Sequence, residues 1–309
     1  MPELPEVTTT VKGLHKVLPG LVITSVWTDI AKKNQPLKQF KDTIKNESFF
    51  KKFEKEIVGK KIISVERRAK NILINISGSN TILIHLKMTG HIIYGNYVYN
   101  KKENKWTPDI NERKALHDPY NRFIHVVFSL SNKKQFVFCD SRKFGKVTLI
   151  KSNSEGKSIH LNNIGPEPLD KKFDFEKFKE RLFLKKNNNI KTFLMDLSVI
   201  AGIGNIYSDE MLWSSSIHPE SKPINIPIKQ LQNLFKSMQE VLNKGIDFGG
   251  DSMSDYRDIN GERGNFQNHH NVYKKKNEKC GKAKCTGVII RKVINGRSAH
   301  FCNTHQIIY

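Results

Sequence analysis

The sequence contains no long apolar run and no sign of a secretion signal. No stretch approaches the ~18 consecutive apolar residues that a membrane-spanning helix requires, and hydrophobic residues make up only 38% of the chain. The amino terminus lacks the basic segment followed by an apolar core that marks a signal peptide. These absences argue against a membrane-embedded or secreted protein.

Cysteine is also scarce. The 309 residues include only Cys139, Cys280, Cys285 and Cys302, and the last three fall within the final thirty residues. Without a secretion signal, this distribution favours a reducing cytoplasm and a metal site over a disulfide framework. We therefore expect a cytoplasmic protein.

Acidic residues are too few to balance the basic ones. Lys and Arg number 52 against 30 Asp and Glu, which gives a formal net charge of +22. The basic residues are spread along the chain, which is long enough for two domains. Because no basic amphipathic helix stands out, nucleic acid is a better candidate for the polyanionic partner than a membrane surface.

The first six residues, MPELPE, carry one distinctive chemical possibility. If Met1 is removed, Pro2 becomes a terminal secondary amine, and an α-amino group titrates near pH ~8, so part of it is neutral and nucleophilic at neutral pH. Such an amine can attack a sugar aldehyde carbon to give an iminium ion, which allows a neighbouring phosphate to be eliminated. Glu3 could donate or accept the protons. On these six residues alone, a terminus stiffened by proline is the simpler interpretation.

Residues 1 to about 150 read mainly as β-structure, after a helix expected from about Val7 to Val17. Short apolar runs, several with period-two alternation, are separated by polar or glycine turns, and this pattern predicts a β-sandwich or barrel. The predicted strands are 22–27, 62–67, 71–76, 81–86, 122–128, 135–138 and 146–150.

Beyond residue 150 the pattern becomes helical. A linker is expected at 151–168, and helices are predicted near 175–182, 190–200, 206–213 and 228–242, where apolar residues recur at helical spacing. A long loop is expected at 245–268. The predicted domains are an N-terminal β domain at 1–150, the linker at 151–168, a helical domain at 169–268 and a terminal hairpin at 269–309.

The carboxyl-terminal segment has the spacing of a metal site, Cys280-x4-Cys285-x16-Cys302-x2-His305. Two apolar runs, 288–290 and 300–302, flank Asn295-Gly296, which is typical of a β-hairpin turn. Two ligand pairs at the ends of such a hairpin can close a tetrahedron around Zn²⁺. A segment this short and polar needs a metal to stay folded. The alternative is free thiols with a surface histidine.

Two further motifs are ambiguous by themselves. Gly202-Ile203-Gly204-Asn205 begins a predicted helix, where free backbone N–H groups suit a phosphate but where a plain helix turn also uses glycine. Asp140-Ser141-Arg142-Lys143-Phe144-Gly145 places a guanidinium and an aromatic ring two residues apart. The pair could enter a base stack, or it could belong to an ordinary basic turn.

Taken together, the motifs resemble the formamidopyrimidine-DNA glycosylase and endonuclease VIII family, in family order over essentially the whole chain. The matching stretches are MPELPEV at 1–7, RRAK at 67–70, HLKMTG at 85–90, DSRKFG at 140–145, IGPEPL at 164–169, AGIGNIYSDE at 201–210, GGDSMSDY at 249–256 and GRSAHFC at 296–302. The resemblance implies an α+β protein of two lobes, with an N-terminal β-sandwich, a helix–two-turn–helix module and a zinc-finger hairpin.

The resemblance also implies a function: excision of oxidised purines from double-stranded DNA and then strand cleavage by β,δ-elimination, by a monomer associated with the nucleoid. By position, Pro2 resembles the Schiff-base nucleophile and Glu3 the proton donor. Lys70 and Arg297 match the residues associated with β- and δ-elimination and with phosphate contact. The remaining matches are to family residues that contact DNA. Met88, Arg142 and Phe144 match the residues that fill the space left by a flipped base, and Lys186 and Asn205 match residues that contact phosphate.

The sequence departs from the family pattern at two places. The first cysteine pair is wider than the more common C-x2-C and the last ligand is His305, so a metal-free finger stays an alternative. Lys87 stands where a glycine is expected before Met88. Two other functions stay open: an oxidised-pyrimidine glycosylase of the endonuclease VIII type, and a non-catalytic binder of damaged DNA. The long loop 249–267 and the complete Met88, Arg142 and Phe144 trio favour the purine branch.

Overall fold

The computed structural model describes residues 1–33, 38–152, 158, 160–185 and 187–309. They form two compact units, each with contributions from two stretches of chain. The first consists of Met1–Asn162 and Phe248–Asn265, and the second of Asn163–Asp247 and Phe266–Tyr309. Of the helices in the described part of the chain, none is long and apolar enough to cross a membrane.

The first unit contains two four-stranded antiparallel sheets with the strand orders β1-β8-β9-β5 and β10-β4-β3-β2, and a separate hairpin β6-β7. One apolar core holds residues of both sheets and of the first helix. The predicted β-sandwich is therefore confirmed. The strands are β1 Ile23–Thr28, β2 Ile62–Arg68, β3 Asn71–Ile76, β4 Asn80–His85, β5 His91–Gly95, β6 Tyr97–Asn100, β7 Lys105–Pro108, β8 Ile124–Leu130, β9 Gln135–Cys139 and β10 Lys146–Lys151.

Two helices accompany the sheets, α1 Leu4–Val17 and α2 Glu47–Ile57. Helix α1 starts three residues before the expected Val7, because a proline in the first turn loses no intrahelical hydrogen bond and Glu3 serves as N-cap. Helix α2 was not predicted, although the Asn46 side chain caps it by accepting a hydrogen bond from Phe49 N–H at 3.0 Å.

The second unit is helical, with a terminal hairpin. Its helices are α3 Phe175–Phe183, α4 Ile190–Met195, α5 Asn205–Ser214 and α6 Ile228–Asp247. The helix expected over 190–200 is shorter than predicted. The Asp196 carboxylate accepts hydrogen bonds from the Ser198 backbone N–H at 2.9 Å and hydroxyl at 2.6 Å, and this local turn competes with further helix.

The terminal hairpin forms as expected, from β11 Ile289–Ile294 and β12 Arg297–Cys302. Asn295 and Gly296 connect the strands with φ values of 46° and 73°, the left-handed pair that a tight hairpin turn requires. The domain boundaries of the sequence analysis stay a prediction. The segment Phe248–Asn265 lies in the first unit, with the β-sandwich.

Candidate active site and metal centre

The amino terminus is held rigidly at the start of α1. Pro2 is buried and Glu3 is only 2% exposed. The Glu3 backbone N–H donates to Glu6 Oε2 at 2.6 Å, while Glu6 Oε1 accepts from the Asp251 N–H at 2.7 Å. The Tyr256 hydroxyl donates to the Glu6 carbonyl at 3.0 Å. Glu6 therefore ties Pro2 and Glu3 to the segment around Asp251.

Glycine is required where this segment passes the helix. Gly250 has a φ of +86°, and a Cβ at this position would lie 2.9 Å from Glu6 Cγ. The Ser252 hydroxyl closes the segment, because it donates to the Tyr256 carbonyl at 2.8 Å and accepts from the Gly264 N–H at 2.8 Å. Burial raises the pKa of the nearby Asp255, while the terminal ammonium and Arg257 act in the opposite direction.

Cations gather where the strands β2, β4 and β10 begin or end. Lys70 lies in the turn after β2, His85 ends β4 and Lys146 begins β10. The pKa of His85 falls to about 3, mainly through burial and further through Lys87, Lys70 and Lys146. Burial, with Lys87, lowers the pKa of Lys146 to about 8. This concentration of positive charge is suited to an anion.

Met88 is distant in sequence from Arg142 and Phe144, yet all three line one cleft of about 520 Å³. Met88 is 38% exposed and Phe144 is 46% exposed, although both are large apolar side chains. The Arg142 guanidinium carbon lies 4.6 Å from the centre of the Phe144 ring. Phe40, Lys87, Lys143 and Lys146 complete the lining.

A buried carboxylate shapes the loop that carries Arg142 and Phe144. Asp140, 1% exposed, accepts hydrogen bonds from Arg142 N–H at 3.3 Å and from Gly145 N–H at 2.6 Å, and the Thr89 hydroxyl also donates to it. Sequence reasoning did not assign Asp140 a role. Its position at the start of a turn, where Asp often accepts backbone hydrogen bonds, is the signal that could have identified it.

The unexpected lysine before Met88 adopts the conformation that explains why glycine was expected. Lys87 has a φ of +58°, in the left-handed region that L-residues with a side chain rarely adopt. Its backbone N–H donates to His85 Nδ1 at 3.0 Å. The chain therefore keeps the backbone turn and adds a cation to the cleft.

The second unit carries the other residues matched to DNA contact. Gly204 is the N-cap of α5, and Asn205 is its first residue. The Asn205 Oδ1 is buried and has no hydrogen-bond partner among the described residues. Arg297 is exposed at the first position of β12, directly after the hairpin turn. Lys186 lies outside the described residues.

Two buried carboxylates on α5, which sequence reasoning missed, connect this helix to the carboxyl-terminal segment. Asp209 is ion-paired with Lys191, and its Oδ2 accepts the His300 backbone N–H at 2.9 Å. Glu210, 1% exposed, accepts backbone N–H groups of three consecutive residues, 271–273, at 2.9–3.1 Å. Adjacent acidic residues directly before the apolar run Met211-Leu212-Trp213 were the available signal, because buried charges require partners.

The four predicted metal ligands converge, with donor atoms within 4.8 Å of one another. Cys285 Sγ lies 3.6 Å from Cys302 Sγ, and His305 Nδ1 lies 3.3 Å from Cys280 Sγ and 3.7 Å from Cys285 Sγ. A tetrahedral centre with metal–sulfur bonds of about 2.3 Å requires sulfur–sulfur distances of about 3.8 Å. The cluster could therefore hold a metal ion, and the sulfurs are too far apart for a disulfide.

The surroundings of the cluster also suit a metal. His305 Nε2 lies 3.1 Å from the Trp213 carbonyl, so Nε2 carries the proton and the Nδ1 lone pair faces the thiols. Backbone N–H groups of Lys282, Gly287 and Thr304 lie 3.4–3.5 Å from the three sulfurs. Such donors stabilise thiolates.

The chain matches two family models. Residues 1–147 match the formamidopyrimidine-DNA glycosylase N-terminal domain, and residues 164–257 match the formamidopyrimidine-DNA glycosylase H2TH domain. The second match confirms the predicted helix–two-turn–helix module, so the predicted fold class is confirmed in both units.

Curated relatives align over nearly the full chain. The formamidopyrimidine-DNA glycosylase of Pelotomaculum thermopropionicum is 34% identical and covers 99% of both chains, and that of Bacillus subtilis is 32% identical over 98% of both. Among solved structures, the Lactococcus lactis Fpg bound to DNA with an abasic site has 30% identity and a TM-score of 0.80, with 99% of each chain covered. A variant of the same enzyme, bound to Fapy-dG-containing DNA, has 31% identity and a TM-score of 0.80 over the same coverage.

Proposed function

Because the chain belongs to the formamidopyrimidine-DNA glycosylase family, and is thus a DNA repair enzyme, we propose that it excises oxidised purines from double-stranded DNA and then cleaves the strand at the resulting site. Formamidopyrimidines and oxidised guanine are the proposed substrates. The long loop 249–267 and the complete Met88, Arg142 and Phe144 trio favour these over oxidised pyrimidines. The Lactococcus lactis variant bound to Fapy-dG-containing DNA is consistent with this choice.

The observation that carries the proposal is the burial of Pro2 and Glu3 at the start of α1, where the Glu3 and Asp251 N–H groups both donate to the Glu6 carboxylate. After removal of Met1, the Pro2 nitrogen attacks C1′ of the damaged nucleotide as the C1′–base bond breaks, and the departing base takes up the proton that the amine loses. Glu3 donates a proton to the ring oxygen O4′, so the C1′–O4′ bond opens and C1′ becomes an iminium carbon. The iminium ion that forms is an electron sink, so loss of a C2′ proton expels the 3′-phosphate. A second elimination expels the 5′-phosphate, and water then releases the sugar fragment from Pro2.

Lys70 and Arg297 are proposed to bind the phosphates that leave in the two eliminations. Burial, and then Lys87, Lys70 and Lys146, lower the pKa of His85, in keeping with positive charge gathered at this edge of the sheet. A leaving phosphate is stabilised by such charge. Arg297 is exposed at the hairpin turn and free to meet a ligand from solvent. Asn205 and Lys186 are proposed to bind further phosphates, and the protein is proposed to act as a monomer.

Met88, Arg142 and Phe144 are proposed to fill the gap that a flipped nucleotide leaves in the base stack. Unstacking costs a few kcal/mol unless the gap is occupied. Met88 is apolar and flexible enough to enter the vacant space. The Arg142 guanidinium can donate to the unpaired partner base. The Phe144 ring can wedge beside it and favour bending of the duplex.

The metal is proposed to be a single structural Zn²⁺ held by Cys280, Cys285, Cys302 and His305. Three sulfurs and one imidazole nitrogen are a typical zinc ligand set, and all four positions are taken by the protein. Zn²⁺ would thus hold the ends of the hairpin that carries Arg297, and would take no part in the chemistry.

Borohydride trapping tests the function. The protein with Met1 removed should form a covalent adduct when borohydride reduces its complex with lesion-containing DNA. Protein that retains Met1, verified by mass spectrometry, should form none, whereas Pro2→Gly keeps a primary amine and should trap weakly. Equal trapping with Met1 retained would refute Pro2 as the nucleophile. Binding of damaged DNA without any adduct or product would indicate a non-catalytic binder. Excision measured on a panel of duplexes with single defined lesions would separate the purine from the pyrimidine branch.

A further inference from the structure

A buried lysine lies beneath the loop that carries Arg142 and Phe144. Lys45 is 5% exposed, and its Nζ donates a hydrogen bond to the backbone carbonyl of Lys143 at 2.7 Å. The same ammonium lies 3.8 Å from the centre of the Phe40 ring. Lys45 thus contacts two residues that line the cleft, Phe40 and Lys143, without lining it itself.

The hydrogen bond from Lys45 falls at the centre of the loop. Lys143 lies between Arg142 and Phe144 and has a φ of 55°, in the left-handed region. Its peptide group is therefore oriented differently from that of an extended strand. Asp140 holds the loop through N–H groups on both sides of this point. A carboxylate therefore fixes the donors of the loop, and Lys45 fixes the carbonyl between the two side chains.

A buried ammonium is costly, because charge is poorly solvated away from water. Burial lowers the pKa of Lys45 to about 8, and Lys87 lowers it further while Asp140 opposes both effects. Methionine would fill the same space without this penalty. Its hydrogen bond to the loop and its contact with the Phe40 ring help to offset this cost, together with the attraction of Asp140, and the bond to the loop points to a role in the loop's conformation.

We propose that Lys45 is a positioning residue that holds Arg142 and Phe144 in the geometry needed to enter the base stack. This inference rests on the proposed function of these two residues in filling the gap. It assigns Lys45 no contact with DNA and no part in the chemistry at Pro2. Loss of the hydrogen bond should let the Lys143 peptide rotate, and the flanking side chains should then leave the insertion geometry.

The test compares Lys45→Met with Lys51→Met. Lys51 has a 67% exposed side chain on α2, ion-paired with Glu47, so its substitution removes the same charge without touching the loop. Excision of a lesion opposite a normal base should fall at least about tenfold in Lys45→Met, since small misplacements can cost up to about 100-fold. Cleavage at a preformed abasic site should fall less than about threefold, because an already vacant site needs less stabilisation. Lys51→Met should leave both rates near those of the unmodified protein.

Fluorescence distinguishes positioning from a general structural role. With 2-aminopurine opposite a stable abasic analogue, insertion beside the unpaired base should change the emission, and Lys45→Met should lose this change while thermal unfolding confirms a folded protein. The double variant with Arg142→Ala should lose less excision than the two single losses combined would give, because Lys45 acts through Arg142 as well as through Phe144. Three results would overturn the role of Lys45. They are additive losses in the double variant, an emission change in Lys45→Met equal to that of the unmodified protein, and a parallel loss of excision and of cleavage at a preformed abasic site.

The same data separate failure of this inference from failure of the proposed function. If Arg142→Ala impairs excision selectively but Lys45→Met does not, Arg142 keeps its role and Lys45 loses the one inferred here. If Arg142→Ala shows no selective loss of excision, the gap-filling role itself is wrong. If neither trapping nor excision is seen with the unmodified protein, the enzymatic proposal fails before either variant is considered.

Discussion

Substitution of Glu210 should destabilise the second unit more than most single changes. Its carboxylate accepts the backbone N–H groups of Asn271, Val272 and Tyr273, and also the Asn271 side-chain amide at 3.0 Å. In Glu210→Ala these donors lose their acceptor, and Val272 is fully buried, so water cannot replace it. A buried donor left unsatisfied costs about 1–3 kcal/mol. The buried Val272 N–H accounts for about 1–3 kcal/mol, and the half-buried Asn271 and Tyr273 N–H groups, at about 0.5–1.5 kcal/mol each, bring the expected loss to about 2–6 kcal/mol.

That loss is large relative to the total stability of about 5–15 kcal/mol that is usual for a folded protein. It corresponds to a fall in Tm of at least about 4–8 °C, at roughly 2–4 °C per kcal/mol. The stability of Glu210→Gln should lie between those of the unmodified protein and Glu210→Ala. Its remaining carbonyl oxygen can still accept hydrogen bonds from the Val272 and Tyr273 N–H groups, which lie 3.0 and 2.9 Å from Glu210 Oε1. The expected order of stability is therefore Glu, Gln, Ala.

Thermal and urea unfolding measure this order, with metal release followed by a chromophoric chelator. Glu240→Ala is the matched control, because the Glu240 side chain is 58% exposed and pairs with Lys236 one helical turn away, at 3.7 Å. Such surface pairs contribute at most about 0.5 kcal/mol. A Glu210→Ala protein that unfolds within about 1 kcal/mol of the unmodified chain would refute the hydrogen-bond reasoning.

Three further predictions concern metal, phosphate and the base stack. Purified protein should contain one equivalent of zinc and Cys302→Ser should lose it; a metal-free preparation that still binds DNA normally would contradict the zinc site. Lys70→Ala and Arg297→Ala should each reduce the slope of log K against log salt by about one, and an unchanged slope would remove that residue from the phosphate contacts. Arg142→Ala should impair excision opposite a normal base far more than cleavage at a preformed abasic site, whereas parallel loss of both with a lower salt slope would indicate a phosphate contact.

Patterns of neighbouring residues predicted most of the regular structure. Alternating apolar residues located seven of the strands, and Asn295-Gly296 located the terminal hairpin, because both signals depend only on local backbone geometry. The metal cluster was predictable for a similar reason, since a hairpin brings its two ends together whatever surrounds it. Helix α2 and the hairpin β6-β7 were missed, because charged and aromatic residues obscure their periodicity.

The supporting contacts of the candidate site could not be predicted from the sequence. The hydrogen bond from Lys45 to Lys143 joins residues 98 positions apart, and the one from Asp251 to Glu6 joins residues 245 positions apart. No periodic pattern reports on such pairs, because the intervening fold decides which of many lysines or glutamates is buried. Family motifs identified Arg142 and Phe144, but the side chains that hold their loop were visible only in three dimensions.

The division of the first unit between two distant stretches of chain has a consequence for synthesis. The segment that contains Asp251 leaves the ribosome after some 250 residues have been made, which takes about 12–50 s at roughly 5–20 residues per second. Until then Glu6 lacks its hydrogen bond from Asp251, and the start of α1 cannot reach its final packing. An aminopeptidase acting on the nascent chain would therefore meet the terminus before the hydrogen bond from Asp251 forms and before Pro2 is buried as in the folded protein. Because this segment is made late, the terminus would stay accessible for a time. The removal of Met1, on which the proposed nucleophile depends, could take place in that time.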